Sequence, residues 1–83
     1  MRRYRLVGFI NQGTCRWFMW ETPLRTSIDA VCGNCTNDLL LIQSVEFARP
    51  RAYYWVERRS RKVLAEFHDR DAAEMAGHML AGN

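Results

Sequence analysis

Residues 52–68, AYYWVERRSRKVLAEFH, decide how this chain folds. Tyr53, Tyr54, Trp55 and Val56 are aromatic or β-branched, the side chains that pack best on a pleated surface. Val63, Leu64, Ala65, Glu66 and Phe67 make a second such run, and the charged stretch Arg58-Arg59-Ser60-Arg61-Lys62 lies between the two. The pattern predicts a β-hairpin. A three-residue loop over 59–61 would pair Arg58 with Lys62, set Trp55 opposite Ala65 and Tyr53 opposite Phe67, and put Arg61 in the left-handed conformation. One hairpin face then carries Tyr53, Trp55, Val63, Ala65 and Phe67. The other carries Tyr54, Val56, Leu64, Glu66 and His68. The first is the more apolar and is expected to meet the core.

A helix over 70–80 follows directly. Asp69 or Asp71 can cap it by accepting from free backbone N–H groups, and Glu74 stands three residues after Asp71 as in a capping box. Ala72, Ala76, Met79 and Leu80 share one helical face, which is expected to lie on the hairpin, and Gly82 ends the helix.

Upstream, residues 3–10 read as a strand, with Tyr4, Leu6, Gly8 and Ile10 alternating with Arg5, Val7 and Phe9. Asn11-Gln12-Gly13-Thr14 reads as a turn, and residues 15–21, rich in aromatics, as the partner strand of an antiparallel hairpin. Thr22-Pro23 signals a helix start, because Thr caps and Pro is tolerated at the first helical position. Leu24, Ile28, Val31, Cys32 and Cys35 recur at helical spacing, and Gly33-Asn34 closes the segment near Cys32. Residues 39–47 form the third strand, with Leu39, Leu41, Val45 and Phe47 on one side and Leu40 and Ile42 on the other. Short connections between strands imply antiparallel neighbours. The expected architecture is a single α+β domain over 1–83, a mostly antiparallel sheet of about five strands with two helices, in the order ββαβββα. Whether the helices cover one sheet face or both is left open.

A chain of 83 residues buries only ~60–65% of its unfolded surface, so its core is small. A hydrophobic content of 48% still argues against disorder. No signal-peptide pattern and no membrane-length apolar run is present, and three cysteines form no pairing pattern, so a reducing cytoplasm is the expected setting. The net charge is +3, with basic residues concentrated at 1–20 and 49–62. Lys62 is the only lysine; the rest are arginines, whose flat guanidinium forks onto carboxylates and phosphates and stacks on rings. A codon bias toward arginine explains the same excess.

Cys32-Gly33-Asn34-Cys35 is the sharpest local motif. Two thiolates at that spacing can bind zinc, and Cys15 with His68 or His78 could complete a set of four. Against this, Cys32 and Cys35 fit the apolar face of the first helix, and free cysteine is among the most buried residue types. Buried thiols and no metal are therefore expected. His68 and His78 lie outside any nucleophile–base pattern, so neither catalysis nor a cofactor is expected. Three tryptophans, three tyrosines and four phenylalanines are more aromatics than so small a core readily hides. Exposed rings beside arginines are the ingredients of a protein-binding hot spot, and equally of a single-strand nucleic-acid platform. The expected contact residues are Arg49, Arg51, Tyr54, Arg58, Arg59, Arg61 and Lys62.

A tiny, arginine-rich chain ending in a hairpin and a capped helix, AYYWVERRSRKVLAEFHDRDAAEMAGHML, resembles small phage-encoded accessory proteins, among which anti-CRISPR inhibitors are prominent. The likeness is one of size and make-up, and it carries over no residue roles. It implies a non-enzymatic inhibitor in the host cytoplasm that binds a host defence complex and blocks its nucleic-acid site or its assembly. A small basic nucleic-acid-binding protein is the alternative, and a zinc-stabilised interaction module the third reading.

Overall fold

The computed structural model describes residues 2–11 and 16–81. Strands β1 (Arg3–Asn11), β2 (Arg16–Met19), β3 (Leu39–Val45), β4 (Ala52–Glu57) and β5 (Val63–Phe67) form one antiparallel sheet in the order β2-β1-β3-β4-β5. Helix α1 (Ile28–Gly33) lies between β2 and β3 in sequence, and α2 (Arg70–Leu80) follows β5. The α+β class and the order ββαβββα are as expected. Gly13 and Gly82, assigned to a turn and a helix end, lie outside the described residues.

The two helices cover opposite faces. Val7, Ile10, Leu39, Leu41, Tyr53 and Trp55 pack with Ala73 of α2. Leu6, Leu40, Ile42 and Val56 pack with Val31 and Cys32 of α1. Neighbouring β3 residues thus alternate between two cores, as the period of a strand requires. The α2 layer is pinned by one buried polar contact: the Trp55 indole N–H donates to the Ala73 carbonyl at 2.8 Å. Gln43, also buried, donates to the Tyr53 hydroxyl at 3.1 Å, so neither group is left unpaired.

Four local expectations are corrected. Helix α1 starts not at Thr22-Pro23 but after Ser27, whose hydroxyl accepts from the Ala30 N–H. Thr22 and Arg25 instead bond the backbone of Leu6 and Tyr4, extending the β1 ladder beyond β2. A ladder that satisfies several backbone groups outweighs a local capping signal. Second, β1 does not alternate evenly. A register shift between Leu6 and Gly8 puts Tyr4, Leu6 and Phe9 on the α1 side and Val7 and Ile10 on the α2 side.

Third, the β4–β5 loop has four residues, not three. The Glu57 N–H donates to the Lys62 carbonyl and the Arg61 N–H to that of Glu57. Arg61 does take positive φ, at 62°, and Trp55↔Ala65 and Tyr53↔Phe67 pair as expected. A shift beyond Trp55 sets Val63 opposite Val56, which moves Val63 to the other face. Fourth, α2 turns Ala73, Ala76 and Gly77 inward, and Met79 is 73% exposed. Small residues let the helix approach the sheet closely, so the ridge with the larger side chains faces out. Asp69 caps α2 by accepting from Ala72.

Two stability measurements check these assignments. Trp55→Phe removes a buried donor and leaves a void, and should cost about 2 kcal/mol in urea unfolding. Arg61→Gly relieves a positive-φ side chain worth ~1 kcal/mol and loses only exposed contacts, so it should be neutral or stabilising.

Candidate protein-interaction surface

The expected contact residues divide between the two ends of β4, a strand of six residues. At its far end sits the β4–β5 loop. Arg58 is committed to the fold: its N–H donates to the Asp38 carbonyl and its Nε to that of Asn37 at 2.7 Å. The Arg61 guanidinium bonds the Arg58 carbonyl and pairs with Asp29 of α1 at 3.2 Å. These two side chains tie the loop to α1 and to the approach to β3. Arg59 and Lys62 are exposed, and no described acid pairs with either side chain.

The near end brings together more of the set. Arg49, Tyr54 and His68 line a polar depression of about 190 Å³ with Arg2, Glu46 and Glu66. Glu46 accepts from Arg2 at 3.3 Å and lies 3.9 Å from Arg49 Nε, while His68 stands 3.5 Å from Glu66. Arg51 is exposed just before β4. Tyr54 is half-buried against the α1-side core, and Tyr53, Trp55 and Val56 are buried. The hairpin aromatics therefore present no open strip between the basic groups, because both sheet faces are covered.

An aromatic that sequence reasoning had assigned to β3 takes their place. Strand β3 stops at Val45, and Phe47 sits in the following turn, 92% exposed. The Arg49 N–H donates to the Glu46 carbonyl at 3.3 Å, which makes Phe47 and Ala48 the central residues of a four-residue turn. Ala48 has φ of 64°, at a position where type II turns prefer glycine. The turn thus holds a phenyl ring in solvent, beside Arg49 and close in sequence to Arg51. An available signal was Pro50 with its neighbours, which mark a turn close to where the apolar run ends.

The cysteines have a different environment. Cys32 is buried on α1 and Cys35 is half-buried just beyond it. Burial pushes both thiols up from their ordinary range, against the opposing pull of Arg61 and Arg58 at Cys32 and of Arg58 and Arg25 at Cys35. His68 stands at the other end of the sheet from them, and Cys15 lies outside the described residues. Among the described residues no group of three His, Cys, Asp or Glu side chains converges on a cation site. No described helix is long and apolar enough to cross a membrane.

Comparison of the chain with protein-family models, with curated proteins and with solved structures finds no match.

The thiol geometry makes a checkable statement. Cys32 should resist iodoacetamide at neutral pH until the protein is unfolded, and purified protein should hold no stoichiometric zinc. About one zinc per chain by elemental analysis, lost together with the fold on Cys32→Ser, would overturn that.

Proposed function

We propose that this chain is a small non-enzymatic binding protein that docks on a protein partner through the β3–β4 turn, with Phe47 as the anchor and Arg49 and Arg51 beside it. The observation that carries the reading is the 92% exposure of Phe47 on a turn whose Ala48 takes positive φ. Buried aromatics and arginines dominate protein interfaces, and a ring held on a tight turn loses little side-chain freedom on docking. Arg2 and Arg49 balance Glu46 and Glu66, and the exposed Arg51 leaves a basic excess that suits a partner pocket with an acidic rim.

The phage-type inhibitor is the form of this function favoured by the chain's size and make-up. In that form the protein binds a defence complex in the host cytoplasm and blocks its nucleic-acid site or its assembly. Direct nucleic-acid binding is less well supported. Arg49 and Arg51 stand at one end of β4 and Arg59 and Lys62 at the other, with a covered sheet between them, so they form no continuous track for a phosphate backbone.

The test pairs an affinity capture from host-cell lysate, read by mass spectrometry, with gel shifts on DNA and RNA at two salt concentrations. Phe47→Ala should weaken capture of the specific partner by roughly tenfold or more, with an unchanged melting temperature, and Arg49→Ala or Arg51→Ala should weaken it more than Arg58→Ala or Arg59→Ala. Sub-micromolar, salt-sensitive binding to bare nucleic acid, reduced about equally by all four arginine substitutions, would replace this reading with a nucleic-acid-binding one.

A further inference from the structure

Helix α1 is only six residues long and covers β1 and β3, and on the same sheet face Phe18 of the edge strand β2 and Trp20 just after it are exposed. Phe18 pairs with Phe9 across the ladder, and their rings stack with centroids 5.1 Å apart. Trp20, two residues after Phe18 and 62% exposed, follows on the same side. Leu6, Phe9, Trp20 and Thr22 face Cys35 and its neighbours in the α1–β3 connection across a cleft of about 310 Å³. A smaller hollow of about 90 Å³ shares Thr22, Asn34 and Cys35 with it and extends it to Pro23 and Arg25.

The charged side chain that lines this cleft is basic, and the neighbouring Glu21 is paired with Arg5 at 3.3 Å. Arg25 lines the smaller hollow, and Arg58 donates to the carbonyl of Asn37, which lines the larger one. Among the described residues no aspartate or glutamate lines either part. Cys35, which lines both parts, feels the positive charge of both guanidinium groups. The larger cavity is at the lower end of the size range for ligand clefts, enough for one apolar side chain with its flanking backbone. The amide and hydroxyl groups of Asn34, Thr36 and Asn37 provide hydrogen-bonding partners along one wall.

We propose that this cleft docks an extended, acidic peptide segment, with an apolar side chain seated between Trp20 and the α1–β3 connection and carboxylates meeting Arg25 and Arg58. A single-stranded nucleic acid fits less well. Such a strand needs successive open ring faces and a row of cations along its backbone. Here Phe9 and Phe18 stack on each other, so among the described residues of the cleft Trp20 is the open ring, and Arg25 and Arg58 are the cations beside it. The site lies on the β2 edge and is separate from the Phe47 turn, so it adds a second contact to the proposed binding function without depending on it.

The probe is a short, end-capped, fluorescein-labelled peptide of alternating leucine and aspartate, followed by anisotropy. Three companions accompany it: one with lysine for aspartate, one with serine for leucine, and a single-stranded oligothymidylate. The leucine–aspartate peptide should bind saturably. Trp20→Ala and Arg25→Glu should each weaken binding by at least about tenfold, and Phe47→Ala should leave it unchanged. Both companion peptides should fail to bind. Circular dichroism melts establish that each variant is folded, and Arg25→Glu, an exposed position, carries the test where Trp20→Ala does not fold. Absence of saturable binding overturns the proposal, as does equal binding by the lysine peptide. Loss of binding in Phe47→Ala, or oligothymidylate binding that Trp20→Ala abolishes, also overturns it.

Discussion

The structure depends on the two-sided burial of β3. Its residues from Leu39 to Ser44 are all buried, and successive side chains enter different cores. A strand apolar on both faces cannot leave either face in water, so a layer is needed on each side of the sheet. Of the two helices among the described residues, one goes to each face. The Trp55 indole fixes the α2 side by reaching the Ala73 carbonyl, in a region where Ala73 and Gly77 bring the helix close. On the α1 side, cover comes from a much shorter helix, held by the Ser27 cap and by Val31 and Cys32.

That division determines what remains at the surface. Covering both faces draws Tyr53, Trp55 and Val56 into the interior and removes the aromatic strip that the hairpin would have offered as an isolated ribbon. The short α1 leaves Phe18 of the outer strand and Trp20 just beyond it exposed. The arginines divide in the same way. Arg58 and Arg61 are engaged by backbone carbonyls and Asp29, holding the four-residue loop against α1. Arg51, Arg59 and Lys62 stand in solvent. A cluster that looks uniform along the chain therefore contains two kinds of cation, one that holds the loop in place and one that stands in solvent.

The hairpin and α2 were legible because their signals are local: alternating aromatics around a charged turn, and an Asp cap ahead of a helical run. Pairing of Trp55 with Ala65 and the positive φ at Arg61 followed from the same pattern. The start of α1 was misread because Thr22 is an equally good partner for Leu6 of β1, and only tertiary context decides between cap and ladder. The register shifts near Gly8 and Leu64 were hidden by composition. Where both faces of a strand are apolar, displacing the alternation by one residue leaves no polar residue conspicuously inside. Of the expected contact residues, Arg49 and Tyr54 line one depression, whereas Phe47 read as core because it follows an apolar strand.

The two positive-φ residues separate structural demand from surplus cost. Arg61 closes a loop between paired strands, where a left-handed residue is the usual solution, and its guanidinium bonds back to the loop and to α1. Its strain of ~1 kcal/mol serves the hairpin itself. Ala48 sits where glycine would serve the turn without that strain, and next to it a phenylalanine is given to solvent rather than to the core. A turn shaped by stability alone would carry glycine, asparagine or another polar residue at these positions. Two adjacent departures in the same direction, neither of them required by the sheet, are what single this turn out as the candidate contact site.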